Sequence, residues 1–324
     1  SGGNATSFTL SNTAFVIGNG PDTSSRSDAF KVMFNGDTTA AGTISATYFV
    51  GDGSLLTNLP SAGGGLQSIT EGGKTGYRRA DADANADYYG DIGTKAVDLS
   101  YSGASGNFGA TGDYSNAMGE DTKAKGVNST AMGLKTIAEG DKSYAIGYNT
   151  RASGVSSTAM GDGTIASGEG STAMGFGANA GGQGSTAMGS STNASGKGST
   201  AMGFGAKASG QGSTAMGYYT IANGVASTAM GFLTTASDYG SLIIGSFNNA
   251  GSSISSGGDA TSFTLSNTAF VIGNGTNTLS KSDAFKVMFN GDTTAAGTIS
   301  ATAFVGDGSG LTGINFNTVS ITTN

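Results

Sequence analysis

Among the 324 residues there is no His and no Cys, so reactive chemistry would fall to carboxylates, hydroxyls, Lys, Arg and Tyr. A Ser-His triad, a thiol nucleophile and a zinc site built from His or Cys are all excluded. Carboxylates gather once, at Asp81, Asp83, Asp87 and Asp91. Two acids flanking a sugar can cleave a glycoside, but these follow one another in an Ala-rich stretch with no spacing that specifies a cleft. Asp81-Ala82-Asp83-Ala84-Asn85 opens in the manner of a calcium loop. Such a loop needs Gly at its sixth position and Glu at its twelfth, and this chain has Ala86 and Ile92 there. No metal, no cofactor and no catalysis are expected.

Around the acids stand Arg78, Arg79, Tyr88 and Tyr89, with Tyr77 and Tyr101 nearby. Guanidinium forks and phenol rings combine contact area with directional hydrogen bonds. These four are therefore the candidate ligand-binding residues. The competing role is structural, because a stack of strands needs its open edge covered. If they bind a ligand, Ala at all four should lower adhesion and leave stability nearly unchanged.

The elements that would position them come from repeats. Ser-Thr-Ala-Met-Gly and close variants recur every fourteen residues, with closing glycines at Gly119, Gly133 and onward to Gly245. A period kept without a slip means one turn of a solenoid per repeat. With 58 Gly, only two Pro and no collagen-like period, the glycines read as tight corners. Each turn fits two short strands. Small residues at the third, eighth and tenth positions suit a narrow interior, and alternation then turns the fourth position outward. That rank is Met118, Met132, Ile146, Met160, Met174, Met188, Met202, Met216, Met230 and Ile244. Such a rank is costly to leave in water, so it is expected to meet itself on neighbouring chains as an oligomer interface. A second outward rank, Tyr148, Phe176, Phe204, Tyr218 and Phe232, is expected to pack between chains, with sugar stacking as the lesser alternative.

Residues 1–58 return as residues 256–313 with 50 positions identical, including Ala14 to Gly20 as Ala269 to Gly275. Short β-type runs at Phe30–Phe34 and Thr43–Val50, broken by Asn-Gly and Gly-Asp, make each copy an all-β module. The expected order is a β shaft module over 1–64, an irregular collar and N-terminal cap over 65–111, a β-roll head over 112–250, and a second shaft module over 251–324. A net charge of -7 argues against nucleic acid, and no long apolar run offers a membrane span. The sequence reads as part of a longer chain.

The phrase Asn128-Ser129-Thr130-Ala131-Met132-Gly133, repeated in register over about residues 112–250, resembles the head repeat of YadA-like trimeric autotransporter adhesins. The resemblance implies a homotrimer of left-handed parallel β-rolls on a bacterial cell surface. It also implies a host or prey cell-surface glycan or protein as partner. Thr-Ala-Met stands where that family often has Val-Ala-Ile. Phe304-Val305-Gly306-Asp307-Gly308-Ser309 is similar to segments of bacterial trimeric fibres and phage tail fibres, so the whole resembles a mosaic trimeric fibre of the kind carried by predatory bacteria. The functional expectation is a trimeric surface fibre that attaches multivalently. A pure spacer and a phage or injection-system tail fibre are the alternatives.

Overall fold

Backbone contact between successive turns sets the fourteen-residue period. The computed structural model describes residues 9–19, 23–25, 27–41, 65–79, 88–102, 106–303, 305–310 and 312. The fifth residue of each turn has a positive φ, +119° at Gly175, and a Cβ there would run into the carbonyl oxygen of Gly189 in the next turn. At the twelfth position Gly168 has no positive φ, yet a Cβ would strike the carbonyl oxygen of Gly182. Glycine is required at both places because the neighbouring backbone occupies the side-chain space. The fourteenth position also has a positive φ but open space, and Asn128, Lys142 and Ser156 are accepted there.

Each turn contributes a five-residue strand, such as Thr172–Phe176, and a two-residue strand, such as Asn179–Ala180. Both pair in parallel and in register with the next turn: Ala173 with Ala187, Met174 with Met188, Ala180 with Ala194. The long strands, from Asn116–Glu120 to Leu242–Ser246, belong to a 16-stranded sheet. The short ones, from Gly109–Ala110 to Thr235–Ala236, form a 10-stranded sheet. This is the all-β parallel solenoid the spacing predicts.

Alanine fills the space between the sheets. From Ala117 through Ala229 on the long strands, and from Ala124 through Ala236 on the short ones, the methyl groups are buried in one continuous cluster. First-position Ser and eighth-position Thr are buried with them. Ser157 donates to the Gly154 carbonyl at 2.6 Å and Ser227 to that of Gly224 at 2.7 Å, each across the corner from the twelfth position of the preceding repeat. A core of Ala, Ser and Thr admits close sheets but buries little apolar area per turn.

Both ends of the long sheet run past the repeats. Val97–Tyr101 lies parallel to Asn116–Glu120, and Lys74–Arg79 lies parallel to Val97–Tyr101. Lys74–Arg79 also forms an antiparallel hairpin with Leu66–Glu71. The stretch expected to be irregular thus holds four strands among its described residues. At the far end Thr268–Asn274 pairs in parallel with Leu242–Ser246, and Asp283–Met288 and Thr293–Ala295 follow antiparallel. The second shaft module therefore continues the sheet of the roll.

The chain forms two compact units, Ser1–Pro60 and Ser61–Asn324. The first holds a three-stranded antiparallel sheet of Thr13–Gly18, Asp28–Met33 and Thr38–Ala40. Its register matches that of the second copy: Val16 faces Lys31 as Val271 faces Lys286, with irregularities at the same places. The expected strand Thr43–Val50 lies outside the described residues. Its counterparts in the second copy, residues 298–303 and 305, form no strand; Thr293–Ala295 supplies the third strand instead.

Candidate functional site

The hairpin preceding the roll carries Tyr77, Arg78 and Arg79, and Tyr88, Tyr89 and Tyr101 follow it in the chain. Alternation along Lys74–Arg79 turns Arg78 inward and Tyr77 outward; Arg78 is 4% exposed and Tyr77 is 48% exposed. In the parallel pairing Arg78 lies beside Asp98, which is fully buried. Its guanidinium donates to Asp98 Oδ2 at 3.1 Å, to Glu71 Oε1 at 3.0 Å and to the Gly90 carbonyl at 3.1 Å. Asp98 also accepts from the Ser100 amide and hydroxyl, and Glu71 accepts from the Ile92 amide. The Arg78 guanidinium stands 4.9 Å from the centre of the Tyr89 ring, a cation–π contact.

Tyr89 is as deeply buried as Arg78. Its hydroxyl donates to the Ser100 carbonyl at 3.3 Å and accepts from the Ser102 amide at 2.9 Å. Burial pushes the phenol pKa up, an effect the Ser102 hydrogen bond partly offsets. Arg78 and Tyr89 are thus brought together, facing inward, in a network that ties four segments of the cap. The expectation that both tolerate Ala without loss of stability does not fit this geometry. Arg79 and Tyr88, their chain neighbours, are half-buried, and Tyr101 is exposed.

Above this network an open trough of about 770 Å³ is lined by Glu71, Lys74, Asp91, Lys123 and Lys125, with Arg78 and Tyr89 at its floor. Lys74 is tied to Asp113 at 2.9 Å, and Lys123 donates to the Gly106 carbonyl. The trough offers charges of both signs on strands and their connections, a setting for polar contact. Among the described residues no group of three His, Cys, Asp or Glu is placed to hold a metal. The acidic loop at Asp81–Asn85 lies outside the described residues.

The second candidate surface is the outward face of the long sheet. Met118 and Met230 keep 41% and 38% of their surface exposed, and Met132 and Met160 are similar. Ile146, Met174, Met188, Met202, Met216 and Ile244 are half-buried. None of these ten contributes to the buried core. Thr, Met and the aromatic rank share this face, because positions two, four and six alternate with inward Ala and Gly. Phe204 stacks on Tyr218 at 5.2 Å and 10°, and Tyr218 on Phe232 at 4.9 Å and 5°. Tyr219 and Phe247 abut the stack edge-on. In this part of the ladder the ring faces are used on one another, while Tyr148 and Phe176 are exposed and stand outside the stack.

The family described as the YadA head domain repeat (2 copies) matches five consecutive segments, residues 110–136, 138–164, 166–192, 194–220 and 222–247. Each segment spans two turns of the parallel roll just described, in one unbroken register. Residues 110–247 are a YadA head. Comparison with curated proteins finds no match. YadA head repeats indicate a fibre of the trimeric autotransporter adhesin type, a class that is in general non-enzymatic and exposed at the cell surface. Among the described residues no helix is long and apolar enough to cross a membrane.

Sequence reasoning missed the partners of the collar. Asp98 and Glu71 stand 20 and 7 residues from Arg78, outside the stretch its motif occupies. It also missed the sealing residues at the far end. Asn248 donates to the Thr235 carbonyl and accepts from the Thr235 amide, pairing the last short strand. Asp238 accepts from the Ser255 amide and hydroxyl and from the Thr268 amide. The available signal was Asp238 itself, the one break in the twelfth-position glycines.

Proposed function

We propose that this chain is a segment of a homotrimeric bacterial surface fibre, with three YadA heads meeting through their Met/Ile faces. The observation that carries the reading is the outward rank of ten Met and Ile side chains on a roll whose interior, up to Ile243 in its last turn, holds small residues. Full burial of a Met against a neighbour contributes about 1.5–3 kcal/mol relative to exposure, and these are half-exposed, so part of that gain is open to assembly. Summed over ten levels in each chain, that gain adds to the limited burial that the Ala methyl groups supply. Oligomerisation is the physical remedy for a chain with so little core.

The assembled fibre attaches to another cell through a surface glycan or protein. Three chains present each contact three times, so weak contacts gain avidity through effective concentration. Within the cap, Arg79 and Tyr88 are the candidate contact residues, beside the mixed-charge trough. Arg78 and Tyr89 hold the cap, and their commitment to internal bonds favours a second reading, in which this segment spaces a recognition site located elsewhere on the fibre.

Binding of the assembled chain to a glycan array and to whole cells separates the two. Adhesion that falls at least ~10-fold in Arg79→Ala/Tyr88→Ala, with unchanged melting, supports contact through the collar. Absence of binding to every surface tried supports the spacer.

A further inference from the structure

We infer that the outer edge of Thr13–Gly18, the first strand of the first shaft module, is a docking site for the last turn of another YadA-type roll. The inference rests on the sheet register, independently of what the fibre adheres to.

The two copies of the module share sequence, register and local bonds. Ser27 donates to Asn19 at 2.6 Å as Ser282 does to Asn274 at 2.7 Å. Thr13 points at the Met33 sulfur at 3.8 Å as Thr268 does at that of Met288. They differ in what lies on the outer edge. In the second copy Thr268–Asn274 pairs in parallel with Leu242–Ser246, the last long strand of the roll. In the first, Thr13–Gly18 is the edge of its sheet among the described residues. Val271 is fully buried and its counterpart Val16 is 45% exposed; Phe15 and Ile17 are exposed too. A flat apolar edge of this kind is a template for an added strand.

The strand also has the form of a roll strand. Phe270-Val271-Ile272-Gly273 sits opposite Leu242-Ile243-Ile244-Gly245, twice the fourteen-residue period further along the chain. Phe15-Val16-Ile17-Gly18 repeats it letter for letter. The second copy grips the roll with groups the first copy retains. Asp283 accepts from the Asn249 and Ala250 amides at 2.8 and 2.7 Å, the Thr268 amide reaches Asp238, and the Ser282 amide reaches the Phe247 carbonyl. Their counterparts Asp28, Thr13 and Ser27 are all present, and none of the eight differing positions falls on them. Among the described residues no hydrogen bond to the Asp28 carboxylate is found. The occupant this edge fits is therefore a roll's final strand of the Leu-Ile-Ile-Gly-Ser kind, followed by a turn that offers two amides to Asp28.

The test places a second copy of residues 112–255 directly before Ser1 in the full chain, which reproduces the natural junction at Ser255–Ser256. Amide hydrogen exchange at Ala14–Gly18 is read against Ala269–Gly273. In the unextended chain the first set should exchange on the order of 100-fold faster; in the extended chain the two sets should match, and Asp28→Ala should undo the gain about 10-fold. Fast exchange at Ala14–Gly18 beside a folded added roll would overturn the inference. Should the added roll fail to fold, the unextended chain still decides. Asp283→Ala should speed exchange at Asn249 and Ala250 while Asp28→Ala changes nothing; equal effects would mean the edge is already filled. Slowing at Ala14–Gly18 with rising concentration of the unextended chain would assign the edge to a second copy of this chain and would also overturn it.

Discussion

Both ends of the roll are closed by strands that continue the long sheet, but different polar groups hold them. At the first turn a hairpin adds to the sheet edge through Val97–Tyr101, and the buried Arg78 and Asp98, with the partly exposed Glu71, form an ion cluster that joins them. At the last turn the sheet simply continues into Thr268–Asn274, whose Phe-Val-Ile-Gly mimics a roll strand. The closing polar work there falls to Asp238 and Asn248. Asp238 can replace glycine because no further turn stacks over it; at every earlier turn the next backbone occupies that space. Ile243 likewise replaces the interior Ala where the core ends against Val271. One end is a special device and the other is the repeat modified at two positions.

Arg78→Ala should have the largest effect. It strands the fully buried Asp98 carboxylate, a loss of about 3–5 kcal/mol. Denaturant unfolding measures it, and hydrogen exchange should show the loss confined to Val97–Ala124 while Thr268–Asn274 keeps its protection. Loss at both ends alike would break the comparison.

Asp238→Ala should cost about 2–3 kcal/mol, since it leaves the Ser255 and Thr268 amides without their acceptor. Asp238→Gly sharpens the point: although it restores the repeat pattern, it should destabilise to the same degree in the same unfolding assay. Recovery of wild-type stability by Gly would show that Asp238 plays no part in closure.

Asn248→Ala should cost about 1–2 kcal/mol through its two bonds to Thr235, read as faster exchange at Thr235 and Ala236.

The smallest effects come from exposed carboxylates. The Thr261 amide and hydroxyl, with Ser262, lower the Asp259 pKa to about 2, against 3.8 in an unstructured chain. At the opposite end the Lys74 ammonium and the Thr94 amide lower that of Asp113. Because both folded values are depressed, their contribution is present above about pH 4 and fades as pH falls through the folded value. Carboxyl-carbon NMR titration should give a midpoint near 2 for Asp259, and a midpoint at the ordinary value would contradict the local geometry.

The roll was legible because its constraint is repeated. Gly175, Ala173 and Met174 have a backbone contact, an interior place and an outward place that recur in every turn, so spacing alone assigns them. The collar was legible only as a break in the pattern. Arg78 and Tyr89 stand out by type, but their inward direction depends on strand alternation and on Asp98 from a separate segment. Residue type does not distinguish an inward Arg from an outward one. The continuity of sheet and second module lay in the sequence as Val271-Ile272-Gly273 at a multiple of fourteen from Ile243. It was hidden because the module also reads as a repeat of residues 1–58.

In the proposed trimer the outward Met/Ile face is covered by two further copies of the chain. Sedimentation equilibrium of the chain at micromolar concentration tests it most directly. A single species of three times the chain mass is expected, dissociated or unfolded by Met174→Asp/Met188→Asp/Met202→Asp. A folded monomer with an intact roll would contradict it.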